Sequence, residues 1–289
     1  MASASRLSEL SEQEAGHDIA TIYDEIKACC RVPMVALIYR HLATHEGVLE
    51  WSWRLLASAM RSGALSAAAH HVASAPFDAA LPMLTPEAAK TLSLKPMDIA
   101  AIAYITTAYN TANPHNIIAV RLLMSVLATD QASGRAGVGS GSPVPTVQFP
   151  ALPPLVQLED MPPALARRLK CLRIANDDGS RGIVPTLYRH LAHWPDYLMV
   201  SAEALEPLFR SGEIEVAASN ITHEADAAAA RLYGELAAHD SMAGRPSGAA
   251  REALLVTLSA FAATIPEMIA VGRLMMNSLL HENREHLFR

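Results

Sequence analysis

Several common grounds for assigning a function are missing from this chain. Cysteine occurs three times, at Cys29, Cys30 and Cys171, and never in a C-x-x-C spacing. That excludes a disulfide framework and a dithiol redox motif, leaving structural thiols as the expectation. Aromatic residues make up only 5% of the chain while alanine is abundant, a balance that suits close-packed helices better than sheets. No alternating strand pattern with hairpin chemistry is present. Lys and Arg total 23 against 29 Asp and Glu, for a formal net charge of -6. No basic cluster is found, which argues against a nucleic-acid partner. The opening stretch MASASRLSELSEQEAGHD lacks the apolar region of a secretory signal. The longest apolar run, VTLSAFAATIPEMIAVGRLMM, is interrupted by Pro266, Glu267 and Arg273, which argues against a membrane span. A soluble, cytoplasmic protein is expected.

What the chain does have is hydrophobic mass and repetition. Of its 289 residues 51% are hydrophobic, enough for a sizeable core. The segment Tyr39-Arg-His-Leu-Ala returns at Tyr188, an offset of 149 (188 minus 39). Across positions 39–72 and 188–221, thirteen of thirty-four residues are identical, including Ser52/Ser201 and the run from Arg61 to Gly63 against Arg210 to Gly212. Further on the offset becomes 152: Pro114, Ile117, Arg121, Leu122 and Met124 match Pro266, Ile269, Arg273, Leu274 and Met276. The period is too long for a solenoid and suits a fused dimer. Residues 1–129 are read as a first helical repeat, 130–158 as a linker and 159–289 as a second repeat. From Asp130 to Pro154 the linker is Gly- and Ser-rich, then Pro-rich, so it starts flexible and ends extended.

Both repeats read as helices, and the expected fold is all-α, with two homologous units packed about a pseudo-twofold. Ile19, Ile22, Tyr23 and Ile26 form one amphipathic stripe. TPEAAKTL carries a Thr cap followed by Pro. The glycines of SGA at 62 and SGE at 211 mark helix ends. KPMDIAAIAYITTAYNTA is expected to be a buried helix, with NPHNIIAVRLLMSVLA starting the next and Asn113 as its N-cap. Such a helix start would also favour a carboxylate ligand. The doubled Tyr-Arg-His motif is read as structural, because a group needed once for chemistry has no reason to appear twice. Function belongs where the copies differ: Asn113 against Ile265, and Leu37 against Thr186.

Three motifs carry a family resemblance: RVPMVAL at 31–37, AYNTANP at 108–114 and YRHLAHWP at 188–195. In order and spacing they resemble the group I 2-haloacid dehalogenases over nearly the whole chain. The resemblance implies an AhpD-like helical fold in duplicate, with one active site between the copies. It implies hydrolytic removal of halide from short 2-halo acids of either hand, with no metal, cofactor or ester intermediate. In that family an aspartate activates a water that attacks and inverts the α-carbon. Carried over by position, the water-positioning asparagine falls on Asn113, and the aromatic wall falls on Met34 and Leu37. The serine before the aspartate falls on Thr186, and the aspartate itself on Leu187, which cannot accept a proton. Asp177 and Asp178 are the nearest replacement carboxylates.

His41 with His45, and His190 with His193, have spacings that can face one way on a helix, yet no H-E-x-x-H or E-x-x-H set accompanies them. No metal site is expected. Three readings stay open: a dehalogenase-type hydrolase with an unidentified base, a silent relative binding a small carboxylic acid between the repeats, and a structural or partner-binding module. None excludes a homodimer.

Overall fold

The computed structural model describes residues 7–128, 145, 148–172, 184–237 and 244–279. Eleven α-helices run through them: α1 His17–Cys30, α2 Leu37–Leu42, α3 Val48–Arg61, α4 Ala64–Ala73, α5 Pro86–Thr91, α6 Pro96–Leu127, α7 Pro163–Cys171, α8 Thr186–Leu191, α9 Pro195–Ser211, α10 Glu213–Ala237 and α11 Gly248–Ser278. No strand occurs among the described residues, as the composition predicts.

Local chemistry sets several boundaries. The Thr85 hydroxyl accepts the Ala88 N–H at 3.2 Å, capping α5, with Pro86 at the first helical position. Gly63 and Gly212 take left-handed φ values of 79° and 84° at the α3–α4 and α9–α10 corners, where a side chain would be strained. Tyr23 and Ile26 of α1 are buried, and Ile19 and Ile22 pack against the same core.

Two features differ from the sequence expectation. First, no helix starts at Asn113: α6 continues through Pro114, and α11 continues through Pro266. An interior proline costs about 3 kcal/mol through its missing N–H and its clash with the preceding turn. Here the flanking residues from Ala112 to Leu127 pack into a core along the same helix, and that burial outweighs the local penalty. Asn113 is therefore mid-helix, and the carboxylate-favouring helix start is absent. Second, Cys171 is exposed, whereas Cys29 and Cys30 are buried. Burial pushes the Cys29 thiol up to about 11 and the Cys30 thiol further, so neither is reactive.

The long helices α6 and α11 lie antiparallel: Asn110 meets Gly272, and Leu127 near the other end meets Arg251. Two cores form around them. One gathers α1 to α4, α10, α6 from Ala112 onward and α11 up to Ala270. The other gathers α5, α7, α8, α9, α6 up to Tyr109 and α11 from Met268 onward. Each core thus draws on residues from both sides of the linker. The last carbonyls of α6 accept from Arg245 at 2.8 Å and Arg251 at 2.7 Å, just before and within the first turn of α11. Beside them Gly244 abuts Gly47, where a Cβ would sit 2.4 Å from the Gly47 oxygen. Among the described residues α11 is the one helix long and apolar enough to cross a membrane, but 56% of its apolar window is buried in the fold.

Candidate functional site

The doubled Tyr-Arg-His motif holds down two extended straps. On α2 the Arg40 carbonyl accepts the Leu10 N–H at 2.9 Å, His41 Nδ1 donates to the Ser8 carbonyl at 2.8 Å, and Arg40 pairs with Glu9 at 3.0 Å. On α8 the Arg189 carbonyl accepts the Val156 N–H at 3.3 Å. The Arg189 side chain donates to the Val156 carbonyl at 3.1 Å and to Gln157 at 2.8 Å. His190 bonds the Pro153 carbonyl, and His193 donates to Pro154 at 2.8 Å. Each arginine and histidine ties an extended segment that precedes it in the chain onto its short helix. His41, His190 and His193 are committed to backbone carbonyls, and no group of three candidate metal ligands converges among the described residues. Beneath the straps Tyr39 and Tyr188 are fully buried, as are Leu42 and Leu191.

The two occurrences of the motif differ at one point. On α8, His190 Nδ1 also lies 2.8 Å from the Tyr109 hydroxyl of α6, with the two rings 5.7 Å apart. The Thr186 hydroxyl also hydrogen-bonds the Tyr109 hydroxyl. A carbonyl only accepts, so His190 donates to Pro153 and, as a neutral ring, accepts from Tyr109 at Nδ1. The result is a polar chain: Thr186 to Tyr109 to His190 to the strap. Burial lowers the His190 ring to about 4 and raises the Tyr109 phenol to about 12. Arg40 and Arg189 both act on the pair, each lowering the two values. On α2 the matching ring of the motif, His41, faces His45 edge-on at 5.1 Å.

The residues carried over from the sequence are only partly brought together. Thr186 is in the polar chain. Asn113 is half-buried on α6, four residues beyond Tyr109 and so on the same helix face. Met34 packs against both cores and therefore lies where they meet. Leu37 opens α2 and is half-buried. Leu187 is 1% exposed inside the second core, together with Leu165, Leu169 and Leu191. Ile265 is 7% exposed. Asp177 and Asp178 lie outside the described residues.

Three participants were missed in the sequence. Tyr109 sits inside the quoted AYNTANP stretch, but its partner His190 is 81 residues away. Asn110 donates to the Gly272 carbonyl at 3.0 Å, and a Cβ on Gly272 would lie 2.2 Å from the Asn110 oxygen, so the pair sets how closely α6 and α11 cross. Glu267, noted only as an interruption of an apolar run, is 1% exposed at the middle of α11. Two surface grooves lie elsewhere: one of about 300 Å³ around Arg40 and Glu9, and one of about 430 Å³ between Phe77 and the start of α10.

No family model matches the chain, and no curated protein matches it. Solved structures do. A D-2-haloacid dehalogenase mutant in complex with D-2-CPA is similar over 95% of this chain and 96% of its own, with a TM-score of 0.72 and 18% identity. A D-2-haloacid dehalogenase in complex with L-LA is similar over 94% and 96%, with a TM-score of 0.71 and 19% identity. A further mutant of such an enzyme gives the same TM-score, 0.71, over the same shares. At these identities the likeness establishes a shared all-helical fold along nearly the whole chain.

Proposed function

We propose that this chain is a 2-haloacid dehalogenase-type protein that takes a small 2-substituted carboxylic acid between its two helical sets and displaces halide slowly. The observation that carries this reading is the fold-wide likeness to D-2-haloacid dehalogenases, two of them in complexes with D-2-CPA and L-LA. Two copies of one unit, joined by the linker, account for the repeat. The starts of α2 and α8 are 149 residues apart, and those of α6 and α11 are 152 apart, the same two offsets as in the sequence. The candidate site is placed at the junction of the cores, where Met34 packs against both, with Leu37, Asn113 and Thr186 assigned to its walls and Asn113 orienting water. We read the protein as soluble and cytoplasmic, and its chemistry calls for no cofactor.

The rate is limited by Leu187. A positioned base contributes about 10² to 10⁴ in rate to water activation, and a leucine in a core supplies none. A second reading, a structural module with its cleft filled, is favoured by the near-complete burial of Leu187 and Ile265.

Titration calorimetry with L- and D-lactate, alongside chloride release from D- and L-2-chloropropionate, separates the readings. Binding with chloride release some 10² to 10⁴ below that of an enzyme with an intact base is expected. Neither binding nor release would leave the structural module.

A further inference from the structure

Resting on the reading above, we propose that the Tyr109–His190 pair supplies the proton acceptor that position 187 lacks, Tyr109 meeting the attacking water and His190 taking the proton behind it. The spacing is right: Leu187 and His190 are three residues apart on α8, so the imidazole occupies the neighbouring position on nearly the same helix face. Geometry supplies the rest of an activated group: a hydroxyl 2.8 Å from the ring, and the ring oriented on its other side by the Pro153 carbonyl. Thr186, one turn before His190, hydrogen-bonds the same phenol group and helps hold it beside the ring.

The step balances. Water gives a proton to the Tyr109 oxygen as the phenol proton passes to His190 Nδ1. The water oxygen bonds to the α-carbon, and the carbon–halogen bond breaks with its electron pair leaving as halide. His190 then returns its proton to solvent, and the product is a 2-hydroxy acid. Tyr109 is the catalytic residue; His190 is a positioning residue acting through it.

Burial makes the imidazole about as basic as an ordinary carboxylate, since about 4 is close to the aspartate value. The charged and titratable groups that face the ring are Arg189 and His193 from its own segment, Arg40 from α2 and Tyr109 from α6. The two guanidiniums also favour phenolate character on Tyr109 as the proton moves. The first copy of the motif cannot do this, because it places His41 against His45 instead of a phenol. The doubled motif is thus a strap anchor in both halves and part of a proton path in one.

The test is chloride release from D- and L-2-chloropropionate between pH 4 and 8, with lactate affinity measured by calorimetry on the same samples. The full-length wild type, Tyr109→Phe and His190→Gln are compared. The wild type should release chloride with an acid limb near pH 4 to 5. Both variants should lose about 10²-fold or more in kcat while lactate affinity changes less than about threefold. In His190→Gln the acid limb should also disappear, which the loss of a merely structural tether would not cause. If His190→Gln fails to fold, Tyr109→Phe decides, because it keeps the ring and removes only the hydroxyl. Unchanged kcat in Tyr109→Phe, or an unchanged acid limb in His190→Gln, overturns the proposal. Lactate binding without wild-type chloride release also overturns it while leaving the binding site standing. Absence of both binding and release overturns the site reading itself.

Discussion

Replacing Leu187 by Asp restores in one step the residue type that the family resemblance assigns to this position, and the structure predicts that the fold will resist it. Leu187 is 1% exposed in a core shared by α6, α7, α8, α9 and α11. Losing its buried hydrocarbon costs about 2 to 5 kcal/mol, the usual range for truncating a core leucine. The introduced carboxyl adds a pH-dependent cost. Burial raises its folded-state pKa above the unfolded value of about 3.9, so the folded state binds the proton more tightly and stability falls as pH rises between the two. Each pH unit in that window costs about 1.4 kcal/mol. A folded pKa near 6 to 7 adds about 3 to 4 kcal/mol at neutral pH, bringing the total near the whole stability of an ordinary domain. Urea unfolding at pH 4.5 and 7.5 measures this, with Leu187→Asn as the uncharged control that should show the truncation cost and no added pH slope. Chloride release is read at the same two pH values. Destabilisation below about 1 kcal/mol at both pH values would refute the reasoning, because it would put position 187 in a wet cleft; a rise in chloride release would then be expected instead.

Three further outcomes follow from the geometry. Gly272→Ala gains about 1 kcal/mol of helix propensity but drives a Cβ into the Asn110 amide and breaks a 3.0 Å hydrogen bond, so a net loss of about 1 to 2 kcal/mol is expected. The double variant with Asn110→Ala should recover most of that loss in urea unfolding, and strict additivity would show that the two residues do not compete for space. Arg189→Ala removes the side-chain bonds to Val156 and Gln157 and should speed amide exchange at Val156; unchanged exchange would show that the strap is held by other groups. His190 has a folded-state value of about 4, below its unfolded value of about 6.5, so the neutral ring is favoured in the fold. Its contribution is complete above about pH 6.5 and is lost as pH falls toward 4, amounting to about 3 kcal/mol at most. His41 and His115 are lowered in the same direction by burial. His190→Gln should therefore flatten the acid side of the stability profile, and a profile identical to wild type would contradict the burial of a neutral ring.

Much of this molecule can be read from the chain alone wherever one residue decides the outcome with its neighbours. Thr85 before Pro86 caps a helix by a bond to Ala88, and Gly63 and Gly212 take the left-handed turn that their lack of a side chain permits. The twice-written Tyr-Arg-His segment reads as structural; both copies anchor a strap, and the second also reaches Tyr109, a partner 81 residues away that the repeat did not reveal. Asn113 shows where local reasoning ends. Asn-Pro is a sound helix start by local energies, and Pro114 lies inside a 32-residue helix nonetheless, because the residues around it are buried against other segments.

Composition and hydrophobic periodicity determined that the protein is helical, because helix propensity and periodicity are local properties that each short segment carries with it. Tertiary structure alone decided that Leu187 lies in a core, that Tyr109 meets His190 and that Asn110 meets Gly272. Those partners are distant along the chain, and their energies come from enclosure and contact, which exist only once α6, α8 and α11 have packed together.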